Sequence, residues 1–244
     1  MMKNIINRTT LLMIPVLTLL LLLNTVTGSD WQTTTVQLLQ GSGYKLSDKD
    51  QTVITFQHVS GWRLGSNFFF FDVAQPHEEG TSVYGEWYSW LNLKPLFNSS
   101  ISRVIPGAVS LGMALNLGES FRAYQAGLNF AFTAPGFNLL SLDVMTYDDQ
   151  SDTEMTHIIT PAWDLPFSMA GLQFQFSGYA DFIGSEGDHS SQIITQPQLL
   201  LDLGNIWQHP GVLQIGLEYH YWQNKYGLKD IDETVPQWII SWNL

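Results

Sequence analysis

The chain has 244 residues, 22 acidic against 10 basic side chains, a formal net charge of −12 and no cysteine. The length suits one domain or two small ones, and the acidic balance argues against nucleic acid as a partner, because phosphate binding requires clustered Lys and Arg. The absence of cysteine excludes disulfides, thiol nucleophiles, thiolate metal sites and a cysteine-anchored lipoprotein. Twenty Gly and abundant aromatic residues favour β-structure over a helical bundle.

Residues 1–28 read as a cleaved secretory signal peptide. Lys3 and Arg8 precede the apolar segment Leu11–Leu23, and small residues follow it. This segment is too short for a membrane-spanning helix, which needs about 20 residues, but it matches the apolar core of a signal peptide. We place cleavage near Gly28 or Ser29, and the alternative is a membrane-anchoring helix. Residues 29–244 then form the exported domain.

The exported domain alternates apolar and polar residues with a period of two. In Leu172–Phe182 and Leu213–Asn224 the apolar residues occupy one face over about ten residues, which is typical of a tilted transmembrane strand. The sequence therefore predicts an all-β protein, a transmembrane antiparallel β-barrel of about 12 strands with both ends periplasmic. Pro161 and Pro197 fall inside predicted strands, where we expect bulges or displaced strand ends. The predicted strands are residues 33–44, 51–62, 66–74, 82–93, 107–117, 121–132, 138–147, 154–163, 169–183, 192–203, 211–225 and 233–244.

Acidic residues are concentrated in alternate connections between the predicted strands. Every second connection carries them, from Asp48 and Asp50 in the first to Asp230 and Asp232 in the last, whereas the others, such as Asp164–Ser168, carry few. The last predicted strand alternates Trp238, Ile240, Trp242 and Leu244 with smaller or polar residues, and it resembles the outer-membrane assembly signal except that Leu replaces the usual Phe. The competing interpretation is a soluble secreted β-sandwich or a lipocalin-like barrel, which would have an apolar interior and a polar exterior.

If the apolar faces meet lipid, the polar faces line a lumen that is acidic. Basic residues are almost absent from it, because Arg63, Arg103 and Arg122 fall in turns or near an interface. An anionic lumen repels phosphates and carboxylates and admits neutral or cationic solutes. The acidic candidates for this lumen are Asp72, Glu86, Asp143, Asp181, Asp202 and Glu218.

Aromatic residues cluster on two neighbouring strands. Tyr84, Glu86, Tyr88 and Trp90 share one face, and if Asp72 points inward then Phe68 and Phe70 do as well. Inward aromatic rings near carboxylates suit stacking on a flat heterocycle with hydrogen bonds to its hydroxyls and nitrogens. The alternative is that most aromatic side chains fill the lumen or form girdles at the membrane interfaces. Face and chemistry together select these candidate solute contacts: Phe70, Tyr84, Glu86, Tyr88, Tyr179, Asp181, Glu218 and His220.

Enzyme signatures are weak. The chain has no G-x-S-x-G and no H-E-x-x-H motif, and His58, His157 and His220 have no Ser partner at motif spacing. Asp148–Glu154 has four acidic residues but no central Gly, so it is not an EF-hand; it either binds cations that bridge lipopolysaccharide or is a solvated loop. We therefore assign no catalytic residue, no metal site and no cofactor.

Loose segments through most of the exported domain resemble the Tsx-type nucleoside-specific channels, a family that includes OmpK-like porins. The resemblance implies a twelve-stranded outer-membrane barrel of a Gram-negative bacterium that conducts nucleosides and whose outer loops serve some members as phage or colicin receptors. It also implies that aromatic and acidic lumen residues contact the nucleoside. The segments are Trp31-Gln32, Thr52–Ser60, Asp72–Pro76, the strand around Glu86, Ala126–Leu128, Gly178–Phe182 and Glu218–Trp222.

Three functions remain open at this point. The first is passive diffusion of nucleosides or similar small neutral solutes through a narrow, anionic, aromatic-lined channel. The second is a barrel-embedded lipid hydrolase, and the third is a non-conducting structural or phage-receptor barrel. All three place the barrel in outer-membrane lipid and lipopolysaccharide.

Overall fold

The computed structural model describes residues 29–76, 81–94, 108–150 and 154–244. The predicted signal peptide, most of the long connection before the fifth strand, which contains Arg103, and part of the acidic segment Asp148–Glu154 lie outside the described residues. Among the described residues, no helix is both long enough and apolar enough to cross a membrane.

Thirteen strand segments form one antiparallel sheet that closes on itself, because β1 pairs with β13 and β13 with β12. β10 and β11 are two halves of one interrupted strand, so the barrel has twelve strands, as the sequence predicts. A helical turn, α1 (Leu203–Ile206), follows β11, and a 3-10 turn (Lys225–Gly227) follows β12. The segments are β1 Trp31–Ser42, β2 Asp50–Trp62, β3 Gly65–Pro76, β4 Ser82–Asn92, β5 Ala108–Leu117, β6 Arg122–Ala131, β7 Leu139–Asp149, β8 Thr156–Met169, β9 Leu172–Ile183, β10 Gln192–Thr195, β11 Gln198–Asp202, β12 Leu213–Gln223 and β13 Glu233–Asn243.

The outer face of the wall is apolar and the inner face is polar, which is the reverse of a soluble barrel. Leu199 and Trp238, on the outer face, are 46% and 70% exposed, whereas the polar residues Glu218 and Gln237, on the inner face, are 4% and 3% exposed. An apolar exterior around a polar interior is the arrangement of a membrane barrel. The period-two pattern of the sequence therefore identifies the two faces, and the lipocalin-like alternative is wrong.

The end of β8 differs from the prediction. β8 continues to Met169 and turns at Ala170 and Gly171, so the predicted turn at Asp164–Ser168 is wrong. Both turn residues have positive φ, 53° and 80°, as a two-residue type I′ hairpin requires. Beyond Asp164 the strand pairs only with β9 and no longer with β7, and a proline is tolerated in such an extension. Pro166 therefore does not end the strand.

Neither proline inside a strand produces a bulge, but strand ends are displaced there, as we expect from the sequence: β8 ends at Met169 instead of residue 163, and the tenth strand is broken at Pro197. The pairing of β8 with β9 is interrupted at Thr160 and Pro161, but the register is the same on both sides of the gap. The tenth strand is interrupted at Gln196–Pro197, again without a change in register towards β9 or β12. A missing N–H removes a hydrogen bond from the ladder, but it does not by itself insert a residue.

The connections divide between two ends of the barrel. The end that holds the connections after β1, β3, β5, β7, β9 and β12 carries most of the described loop acids, and we call it the acidic end. The opposite end holds the start of β1, the end of β13, the Ala170–Gly171 turn and α1.

Candidate solute site in the barrel lumen

All eight candidate residues lie on the inner face of the wall. Strand register places Phe70 opposite Glu86, and the same parity carries Asp72, Tyr84 and Tyr88 inward. Phe69 and Phe71 point outward, where each ring contacts Phe56. The four consecutive phenylalanines thus divide two and two between lumen and exterior, as the sequence predicts.

The Glu86 carboxylate accepts hydrogen bonds from three side chains. The hydroxyls of Tyr84 and Tyr88, two residues away on either side, donate to it at 2.5 Å each. The Asn116 amide donates to it from β5 at 3.1 Å, and Gln125 on β6 donates to the Asn116 carbonyl at 3.2 Å. These contacts orient the carboxylate and hold the two phenol rings beside it, because hydrogen bonds to a charged group are the stronger kind.

A row of aromatic rings continues from this carboxylate along the inner wall. Phe70 lies 6.2 Å from Tyr84, and Phe68 lies 6.3 Å from Tyr88, measured between ring centroids. Tyr88 stacks on Trp90 at 5.5 Å, with 13° between the ring planes. Trp90 is therefore a lumen residue and not a girdle residue, and its indole N–H donates to Asp143 at 2.9 Å.

Two further acids face the lumen with one threonine each. The hydroxyl of Thr55 donates to Asp72 at 2.6 Å, and that of Thr160 donates to Asp181 at 2.5 Å. No inward-facing position of the described strands carries Lys or Arg. The inner wall here is therefore rich in carboxyl groups, which are interleaved with aromatic rings.

The carboxylate of Glu218 is held by glutamines rather than by tyrosines. The Gln198 amide donates to one of its oxygens at 2.7 Å, and the Gln237 amide donates to the other at 2.8 Å. The hydroxyl of Tyr44, in the connection after β1, donates to the Gln237 carbonyl at 2.5 Å. This connection therefore reaches inward over β13 at the acidic end.

An ion pair that sequence reasoning missed closes the inner wall at the acidic end. The ammonium of Lys225, in the 3-10 turn, donates to both oxygens of Glu233 at 2.8 and 2.7 Å and to the carbonyl of Lys45 at 3.0 Å. Side-chain exposure is 5% for Lys225 and 0% for Glu233. Burial lowers the pKa of Lys225, and the hydrogen bonds and charge of Glu233 oppose that shift.

His220 joins this ion pair to the candidate site. Its Nε2 lies 3.0 Å from Glu233, and its Nδ1 lies 2.9 Å from the amide nitrogen of Gln196. The Gln196 carbonyl accepts from the hydroxyl of Tyr179 at 2.6 Å. Both nitrogens of His220 are thus engaged by protein groups, which favours a role in positioning its neighbours.

The residues that the sequence did not reveal here are Gln196, Lys225 and Glu233. Glu233 resembles another loop acid, although strand parity with Val235 and Gln237 places it inward. Nothing in the sequence around Lys225 marks it as buried. Asp202, a predicted lumen acid, also lies on the inner side, but it accepts from the backbone N–H groups of Asn205 and Gly211 and so caps α1.

Comparison with solved structures places this barrel among known architectures. The KdgM porin in complex with disordered oligogalacturonate is 11% identical, with a TM-score of 0.51 over 85% of this chain and 98% of that one. The NanC porin is 12% identical, with a TM-score of 0.54 over 86% of this chain and 100% of that one. No family model and no curated protein sequence matches the chain. At such low identity the likeness is one of fold: a closed twelve-stranded antiparallel barrel of the kind seen in these porins.

Proposed function

We propose that the protein is an outer-membrane channel of a Gram-negative bacterium, exported by cleavage of residues 1–28, that passes nucleosides or similar small solutes by passive diffusion. The observation that carries this proposal is the inner wall around Glu86, where aromatic rings alternate with carboxylates and no basic side chain faces them on the described strands. The apolar outer face supports the membrane location, since it would otherwise be exposed to water.

The charge of this wall argues for neutral or cationic solutes. Asp72, Glu86 and Asp181 would repel a phosphate or carboxylate, because a narrow low-dielectric lumen strengthens such repulsion. Oligogalacturonate, named with one of the similar porins, is a polyanion, so a shared fold does not imply a shared solute.

The aromatic rings argue for a solute with a flat ring. Phe70, Tyr84 and Tyr88 offer faces and edges within one short stretch of wall, and base–aromatic stacking contributes about 1–3 kcal/mol per base. The carboxylate of Asp181 or Asp72 would then accept hydrogen bonds from ribose hydroxyls or from an exocyclic amine. A nucleoside combines these features, whereas its 5′-phosphate adds the charge that the wall repels.

Single-channel recording of the refolded residues 29–244 in a planar bilayer tests the proposal. We expect the reversal potential in a KCl gradient to show cation preference, and we expect adenosine to block the current at lower concentration than AMP. Open current that is indifferent to both would retire the nucleoside assignment. The absence of conductance would favour a structural or phage-receptor barrel.

Two matched pairs of variants test whether adenosine block and cation preference arise inside the lumen. Phe70→Leu should weaken adenosine block at least about fivefold, whereas Phe71→Leu on the outer face should leave it unchanged. Glu86→Gln should reduce cation preference, whereas Glu119→Gln, in an exposed connection, should not. Equal effects of the inner and outer variants would contradict a lumen site.

The remaining partners follow from the same geometry. Outer-membrane lipid and lipopolysaccharide would contact the apolar exterior, and phage or colicins would contact the acidic connections. No hydrogen bond within the described residues joins a Ser hydroxyl to a His ring; the hydroxyl partner of His58 is Thr34, at 2.8 Å. Steady lipid hydrolysis by the purified protein would nevertheless favour the hydrolase over the channel.

A further inference from the structure

The break in the tenth barrel strand places one side-chain amide between the candidate solute site and the ion pair at the acidic end. Gln196 lies in the break, immediately before Pro197, and its side chain points inward. On one side it contacts Tyr179, and on the other it contacts His220. Four hydrogen-bonded links thus run from Tyr179 through Gln196, His220 and Glu233 to Lys225.

The chemistry of the groups fixes the direction of every hydrogen bond in this chain of contacts. Glu233 is held ionised by Lys225 and can only accept, so Nε2 of His220 must donate to it. In the neutral ring the other nitrogen, Nδ1, then has no proton and accepts from the amide of Gln196. The carbonyl of Gln196 is left facing Tyr179, whose hydroxyl must donate to it. The ion pair therefore determines which way the Tyr179 hydroxyl points.

We propose that Gln196 and His220 are positioning residues that set the direction of the Tyr179 hydroxyl, and that a proton on His220 reverses this direction. A protonated ring donates from both nitrogens, so Nδ1 can no longer accept from the Gln196 amide. The amide must rotate to present its carbonyl to His220, and its NH₂ group then faces Tyr179. The Tyr179 hydroxyl becomes an acceptor from Gln196 and is free to donate into the lumen.

This inference rests on the proposed function, because it concerns how the lumen receives a hydrogen-bonding solute. While His220 is neutral, the Tyr179 hydroxyl donates its hydrogen bond to Gln196, so it can only accept a hydrogen bond from the solute. With His220 protonated, it offers the solute a donor. Protonation of His220, which lower pH favours, should therefore change which solutes the lumen prefers.

Several titratable groups face His220 and must be separated from it in any experiment. Glu233 on β13 and Lys225 in the 3-10 turn form the ion pair, and Glu218 precedes His220 by two residues on the same face of β12. Asp72 on β3 lies within range of its charge, the ring of Tyr44 lies 6.2 Å away, and Tyr179 on β9 is reached through Gln196. Apart from Tyr179 itself, the side chain that contacts the Gln196 amide is His220, so the other groups do not act on Tyr179 through that amide.

Adenosine block measured at pH 8 and pH 5 tests the coupling. For the wild-type channel we expect the blocking concentration to differ about fivefold between the two values, which is the effect of one hydrogen bond. Gln196→Leu, His220→Gln and Tyr179→Phe should each remove this difference. His58→Gln is the matched control, since it removes a histidine from the outer face and should keep the difference. A wild type without the difference, or a Gln196→Leu variant that retains it, would overturn the proposal.

A measurement that does not require a functioning channel separates this proposal from the proposed function. Nuclear magnetic resonance of ¹⁵N-histidine-labelled protein in micelles reads which ring nitrogen carries the proton. While the His220 ring is neutral, we expect Nε2 to carry the proton. With ¹³C-tyrosine added to the labelling, we expect the Tyr179 ring signal to change when His220 gains a second proton, but not in Gln196→Leu. A neutral ring protonated on Nδ1 would refute the inference even in a channel that binds nucleosides. If the expected spectra are seen but adenosine does not block the channel, the inference about His220 and Tyr179 stands and the nucleoside assignment fails.

Discussion

Replacing Lys225 with Met should destabilise the barrel strongly, because it leaves the buried Glu233 carboxylate without its ammonium partner. Breaking a buried ion pair from one side costs about 3–5 kcal/mol. His220 and the backbone N–H of Lys45 still donate to Glu233 in the variant, so we expect a loss near the lower limit, about 3 kcal/mol. The side chains are 5% and 0% exposed, which leaves little solvent to screen the remaining charge.

The free energy of unfolding is measured by urea titration in lipid vesicles, followed by tryptophan fluorescence. Lys229→Met is the control, since Lys229 is exposed four residues along the same connection and its loss should cost less than about 0.5 kcal/mol. The double variant Lys225→Met/Glu233→Gln removes both charges and should recover much of the stability. The reasoning is refuted if Lys225→Met costs no more than Lys229→Met, or if the losses of the two single variants simply add.

Three smaller changes test other parts of the fold. Gly216→Ala should cost about 1–3 kcal/mol, because its Cβ would lie 1.9 Å from the backbone carbonyl oxygen of Leu199; thermal unfolding in detergent measures this, and an unchanged midpoint would contradict the close approach of the two strands. Ala170→Asn should stabilise the protein by up to about 1 kcal/mol in the same assay, since Asn tolerates positive φ in a type I′ turn better than Ala, and a loss would argue against that turn. Asp202→Ala should cost about 1 kcal/mol through loss of the α1 cap and should leave adenosine block unchanged; a weakened block would mean that Asp202 belongs to the solute site.

The sequence by itself determined the strands and the faces they present. Side chains alternate across a strand whatever it pairs with, so the run Phe68–Phe71 followed by Asp72 already assigns two rings to each face. The number of strands and the acidic, aromatic character of the lumen follow from the same local property. The connection of β8 to β9 did not follow, because Asp164 and Pro166 are turn-forming residues and only the pairing with β9 keeps them in a strand.

Only the tertiary structure decided which inward residues meet. Tyr179, Gln196, His220, Lys225 and Glu233 come from β9, the break after β10, β12, the 3-10 turn and β13, and none is close in sequence to all of its partners. Their contacts depend on the register between neighbouring strands, which sets the height of each residue in the barrel. A period of two assigns a side chain to the inner face, but it does not determine the height of that side chain in the barrel. The direction of the hydrogen bonds and the burial of Lys225 are therefore properties of the closed barrel alone.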